Sequence, residues 1–177
     1  MIMLGEIIDF RGKSDTRWVD GKNNNTSWIE GKNINTSIDE FGFHSYITNK
    51  NGCYEVNPST LGMYTGINDK HGNKIYSGDI IQWWVKHTYM YEDGTKEYMF
   101  TDLKGTVEYN TQLAAFTVKV GTIIEPIYLG NINKKSNIEF DFDTIENDIY
   151  KQKYKDDYIN YKGIEIIGNI IDSKDKL

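Results

Sequence analysis

The chain has 177 residues, 38% of them hydrophobic and 14% aromatic, enough apolar material to bury a sizeable core in one compact unit with two lobes. Its 26 acidic and 20 basic side chains leave a net charge of -6, which argues against a general affinity for phosphate backbones, carried mainly by Lys and Arg. Apolar runs stay short of the roughly eighteen residues that cross a bilayer, Met1–Phe10 lacks the marks of a secretory leader, and the lone Cys53 forbids an internal disulfide. A cytoplasmic protein without a membrane partner is therefore expected.

Taken in chain order, short stretches rich in β-branched and aromatic residues dominate, separated by Gly, Asn, Asp and Lys turns. Strands are predicted over Glu6–Phe10, Arg17–Asp20, Ser27–Glu30, Phe43–Ile47, Tyr54–Asn57, Ile80–Lys86, Gly105–Tyr109, Phe116–Val120 and Ile123–Tyr128, with a last apolar strand within Gly163–Ile170. The segment Trp18–Ser37 is one ten-residue phrase written twice, WVDGKNNNTS and then WIEGKNINTS. Each copy reads as a short strand headed by Trp and a Gly/Asn turn, so the pair would add hairpin arms to a sheet. Two copies are too few for a solenoid, and a slipped duplication in an A+T-rich gene explains them; deleting Trp28–Ser37 is expected to leave folding intact.

Between Tyr128 and Gly163 the composition turns charged and Tyr-rich. Asp143 with Glu146 forms a capping box, and Ile145, Ile149, Tyr154 and Tyr158 share one face of a helix predicted over Thr144–Asn160. The fold expected is mainly β: small antiparallel sheets or an SH3-like barrel, with an N-terminal β lobe at 1–75, a second lobe at 76–177, and one helical insertion at about 140–162 before the last strand.

At Thr60–Trp83 the sequence reads TLGMYTGINDKHGNKIYSGDIIQW. Thr-x-Gly-x-Tyr-Thr-Gly followed by Asp-Lys-x-Gly-x-x-Ile-Tyr-x-Gly-Asp-Ile-Ile resembles the signature of the YopX family of phage and prophage proteins. Three further pieces agree in order: DFRGK at Asp9–Lys13 with RWVDG, GTVEYN at Gly105–Asn110, and IEIIGNI at Ile164–Ile170. The family pattern carries the Trp-Val-x-Gly phrase once, so the second copy and the long segment before the last strand look like insertions. The resemblance implies a mainly β, oligomeric protein of a mobile element, and it implies no reaction.

Residues that carry chemistry are scattered. Asp69, His71 and Asn73 alternate as cation ligands do, but Gly72 falls out of phase with a calcium loop, and a hairpin turn is the better reading. His44, His71 and His87 lie on separate segments with no Cys pair to complete a zinc site. Phosphate loops, dinucleotide fingerprints and nucleophile elbows are absent from the sequence, so no catalytic, cofactor or metal residue is assigned and no enzyme is expected. Arg11 and Arg17, the only arginines, and Asp79, in the turn of Ser-Gly-Asp, are assigned structural roles. Trp18, Trp28, Trp83, Trp84 and Tyr89 are the candidate partner-binding residues; of the adjacent Trp83 and Trp84, one should enter the core and the other face outward. The partners expected are a second copy of the chain and a host protein, with the protein acting as an inhibitor of a host defence or nucleic-acid enzyme. The alternative is a nucleic-acid-binding small barrel, supported by outward aromatics and opposed by the net charge.

Overall fold

Strand-forming stretches separated by turn residues pair mostly with their sequence neighbours, and among the described residues the result is three antiparallel sheets and one short α-helix. The computed structural model describes residues 8–14, 27–40, 42–94, 96–121, 127–136 and 163–173. The chain forms two compact units, residues 1–65 and 66–177.

In the first unit, β1 (Phe10–Lys13) lies between β2 (Trp28–Gly31) and β6 (Gly62–Asn68), antiparallel to both; β6 runs on past Thr65. A second sheet has the order β3 (Asn33–Asp39), β4 (Gly42–Asn49), β5 (Gly52–Val56). Alternation along β4 turns Ser45 and Ile47 inward, where Ile47 and Val56 are fully buried, while His44 and Tyr46 occupy the other face. A single 3-10 turn at Pro58–Thr60 follows, capped by Asn57, whose Oδ1 accepts from Ser59 N at 3.0 Å. Lys13 N donates to Thr60 Oγ1 at 2.8 Å and Asn57 N to Lys13 O at 2.9 Å, which fastens the end of β1 to this turn.

The second copy of the repeat is built into this unit differently from the expectation. Trp28–Gly31 is β2, but Gly-Lys-Asn is no hairpin turn: the chain bends at Lys32 and passes directly into β3, so one phrase supplies an edge strand to each of two sheets. A Cβ at Gly31 would overlap the Thr48 carbonyl and the Ile47 side chain, so this crossing requires glycine. Arg17 and Trp18–Thr26 of the first copy, and with them the strand predicted over Arg17–Asp20, lie outside the described residues.

In the second unit, β7 (Lys74–Tyr76) pairs with β6, and β8 (Asp79–Met90), β9 (Lys96–Asn110), β10 (Ala115–Lys119), β11 (Ile127–Tyr128) and β12 (Glu165–Asn169) form one antiparallel sheet of order β11-β10-β9-β8-β12. The sheet is open among the described residues, so the small-sheet reading holds and the SH3-like barrel does not. Its core gathers Ile75, Ile81, Trp83, Val107, Val118 and Ile164, joined by Leu129 and Ile132 from α1 (Leu129–Ser136). That helix follows β11 directly, with Leu129 and Ile132 one turn apart on its buried side. The helix predicted over Thr144–Asn160 lies outside the described residues.

Candidate functional surfaces

The signature stretch builds a buried latch. The turn between β6 and β7 folds around Asp69: its carboxylate accepts His71 N at 2.9 Å, Asn73 N at 2.8 Å and Asn73 Nδ2 at 3.1 Å, while Asn73 O accepts Asp69 N. Burial pushes the Asp69 pKa up, but the Asn73 side-chain and backbone donors, His71 N and Ile166 N outweigh it, and the net shift is down from 3.8. A carboxylate so filled with N–H donors is a turn keystone rather than a cation ligand. Lys70 N donates to Ile164 O at 2.7 Å and Lys70 Nζ meets Glu165 Oε2 at 2.6 Å, so the turn also grips the start of β12.

One turn further on, the same logic repeats in the interior. Between β7 and β8 the chain reverses at Ser77–Gly78, where Gly78 has φ +89, a conformation that suits glycine alone. Gly78 N donates to Val107 O, and Gly78 O accepts Ile170 N at 2.9 Å. Asp79, 1% exposed, accepts Tyr76 N at 2.8 Å through Oδ2 and Asn169 Nδ2 at 3.1 Å through Oδ1. Asn169 Oδ1 in turn accepts Ile171 N at 2.8 Å. Tyr-Ser-Gly-Asp and Gly-Asn-Ile, 90 positions apart, are therefore two halves of one joint, and the Asp79 carboxyl lies within it, away from any solvent-filled site.

The remaining candidates separate by burial. Arg11 lies with its guanidinium carbon 4.6 Å from the Trp28 ring centroid, and Lys13 Nζ lies 5.5 Å away, so Trp28 is half-buried beneath two cations of β1. Trp83, 3% exposed, belongs to the core and presents nothing to a partner; Trp84 is on the opposite face and half-buried, because adjacent strand residues alternate. Tyr89 is exposed.

Tyr89 belongs to an arm that the sequence reading did not foresee. Among the described residues β12 pairs with β8 no further than Gln82 and β10 pairs with β9 no nearer the tip than Thr106, and past Trp83 and Leu103 β8 and β9 run on paired to each other. Its register runs to Met90↔Lys96. Tyr89, Met90, Tyr91 and Met99 are 48%, 71%, 53% and 49% exposed. Trp84, Lys86 and Met90 share one face with Phe100, Asp102 and Lys104, by alternation and register. A smaller apolar spot lies at the β3–β4 tip, where Ile38 faces Phe43 and both are exposed. Met90 lies in the aromatic-rich stretch Gln82–Gly94, whereas Met99 carried no sequence signal, because Met on a solvated strand produces no alternation.

The outer face of the β3-β4-β5 sheet carries one ionisable cluster. His44 Nδ1 lies 2.6 Å from Glu55 Oε1 and Nε2 lies 3.1 Å from Asp39 Oδ1, bridging all three strands. The Glu55 hydrogen bond first and the Asp39 hydrogen bond second raise the His44 pKa above 6.5. Cys53 is exposed on β5. No group of three or more His, Cys, Asp or Glu is placed to hold a metal ion among the described residues, and no helix among them is long and apolar enough to cross a membrane.

This mainly β architecture, with the Thr60–Trp83 signature closed onto a C-terminal Gly-Asn-Ile strand, defines the class. The YopX protein family profile matches residues 9–177, nearly the whole chain, and the protein belongs to that family. Among curated proteins no match was found.

Proposed function

We propose that the protein is a non-catalytic, phage-type binding protein that self-associates and engages a protein partner, with the β8–β9 arm as its contact surface. The observation that supports this reading is the arm itself. A two-stranded ribbon gains little from its own hydrogen bonds in water, and one that carries exposed Tyr89, Met90, Tyr91 and Met99 is suited to being covered. Aromatic and Met side chains are the types that anchor protein interfaces, and Met adapts to irregular surfaces. The cytoplasm of a host cell is the setting that fits a chain with one exposed thiol. In the finer version the target is a host defence or nucleic-acid enzyme, whose basic channel the acidic chain would occupy.

The rival reading has one feature in its favour: Lys86, Lys104 and Lys96 lie on the arm face that also carries Trp84 and Phe100, a mix of cations and stacking rings. Salt separates the two. The triple change Met90→Ser, Tyr91→Ser, Met99→Ser should abolish self-association in sedimentation velocity and host-protein capture from nuclease-treated lysate, with wild-type contacts persisting in about 0.5 M salt. Nucleic acid that co-purifies, falls away as salt rises, and tolerates the triple change would overturn the protein-binding reading.

A further inference from the structure

We infer that His44 is a two-stage clasp on the β3-β4-β5 sheet: charged, it ties Asp39 of β3 to Glu55 of β5, and neutral, it keeps Glu55 and releases Asp39, loosening the β3–β4 tip. β3, β4 and β5 contain no Lys or Arg, so His44 is the only side chain of these three strands that can carry a positive charge. Asp39 is the last residue of β3 and pairs with Gly42 beside the exposed Ile38 and Phe43, whereas Glu55 pairs with Tyr46 within the sheet.

The chemistry of the ring forces a choice between the two carboxylates. An imidazolium donates from both nitrogens, whereas a neutral imidazole donates from one and accepts at the other. Both neighbours of His44 are carboxylates, which only accept when ionised, so both contacts hold only while the ring is charged. The Glu55 contact is the shorter, 2.6 Å from Nδ1 against 3.1 Å between Nε2 and Asp39, and the Glu55 side chain is 27% exposed against 53% for Asp39. The proton therefore stays on Nδ1, and the Nε2 lone pair is left facing Asp39 Oδ1, which repels it. His44, 17% exposed and stacked with Tyr46, has less room to move than the Asp39 carboxylate, so the tip is the side that yields.

Among the described residues, the charged and titratable groups around the ring are Asp39 on β3, Glu40 in the turn that follows, Tyr46 on β4, and Cys53 and Glu55 on β5. β1 and β2 approach the opposite face, where Gly12 lies against Val56 and Gly31 against Ile47. The Glu55 and Asp39 hydrogen bonds raise the His44 pKa above 6.5, so the clasp is closed below the folded value and opens as pH rises through it.

The test is nuclear magnetic resonance of the full chain from about pH 5.5 to 8.5, reading the His44 ring nitrogens and the exchange of backbone amides, corrected for the intrinsic pH dependence of exchange. Neutral His44 should be the Nδ1–H form. Exchange at Ser37–Asp39 should rise about twofold or more across the His44 titration, while Tyr54–Val56 hold constant. Asp39→Asn supplies an amide that accepts from the charged ring and donates to the neutral one, so the step in exchange should vanish while the Nδ1–H form persists. Neutral His44 in the Nε2–H form, or exchange at Ser37–Asp39 without a step, would overturn the clasp, and both readings come from the wild-type chain whether or not the variant folds. A step that Asp39→Asn leaves unchanged would belong to another group and would overturn it equally.

Discussion

The two ends of β8 sit in opposite environments. Asp79, its first residue, is 1% exposed and holds a neighbouring turn and a strand from the other end of the chain, whereas Met90, its last, is 71% exposed beyond the sheet. Of the residues by which the chain resembles its family, Lys70, Gly78 and Asp79 hold β12 and the residues flanking it, and the exposed Tyr89, Met90 and Tyr91 lie beyond the point where the signature stops. A signature can therefore define a fold without marking a site. Here the carboxyls that attract a catalytic reading, Asp69 and Asp79, each accept N–H donors on both oxygens.

The contrast is broken most directly by substitution at both ends. Asp79→Ala leaves the Tyr76 amide and the Asn169 side-chain amide buried without an acceptor, each costing about 1–3 kcal/mol. A loss of about 3 kcal/mol, or roughly 6–12 °C in Tm for a chain of this size, is expected by calorimetry. Met90→Ser should stay within about 0.5 kcal/mol of wild type. Equal Tm values for the two variants would show that the latch carries no more stability than the arm.

Asp69 sharpens the point through pH. Its folded pKa lies below its unfolded value, so its contribution is present above the unfolded pKa near 3.8 and is lost as pH falls through the lower folded value. In Asp69→Asn the stability curve should flatten on its acid limb, below about pH 5, and keep its shape near neutrality. An acid limb unchanged from wild type would remove Asp69 from the latch.

How much of this was legible in one sequence depended on whether a residue's surroundings left a pattern near it. The strand beginning at Ile80 and the apolar strand near the C-terminus were visible because each buries a face and alternates or runs apolar. That Asp79 meets Asn169 was not, since nothing local records a contact spanning 90 positions. β3 was missed because NINTSID is made of turn-favouring residues; pairing along β4 overrides that preference at an exposed edge. The arm left no trace because both of its faces are wet over Lys86–Met90, so the period-two signal that marks a half-buried strand never arises. α1 was hidden by its length and its Gly and Asn, and it is held by Leu129 and Ile132 in the core rather than by propensity.

The repeat offers a milder perturbation. Deleting Trp28–Ser37 removes β2 and most of β3, yet Trp18–Ser27 then follows β1 with Trp, Gly and the Asn-Thr-Ser close in the same places. The apolar losses are Ile34, which faces Ile47 across β3 and β4 and would be replaced by Asn24, and one methylene at Ile29, which would be replaced by Val19. The deletion should therefore fold cooperatively, with a Tm lowered by no more than Ile29→Val and Ile34→Asn together lower it, a cost of about 1–2 kcal/mol. A deletion variant that fails to fold while Ile34→Asn folds would mean that the two copies are not interchangeable.

The smallest effect belongs to His44, and its size is the sharpest check on the comparison between buried and exposed polar groups. Its pKa is raised in the folded chain by Glu55 and Asp39, so the contribution is fully present below the unfolded pKa of 6.5 and fades as pH rises through the folded value. The sign is opposite to that of Asp69. The cluster lies on the outer face of the β3-β4-β5 sheet, where water and salt screen it. A melting series from pH 5.5 to 8.5 should show a slight decline in Tm that His44→Gln removes, and added salt should shrink it further. If the decline rivalled the loss caused by Asp79→Ala, an exposed ion cluster would be stabilising the first unit as strongly as a buried joint stabilises the second, and depth of burial would no longer separate the residues that hold the fold from those left for contact.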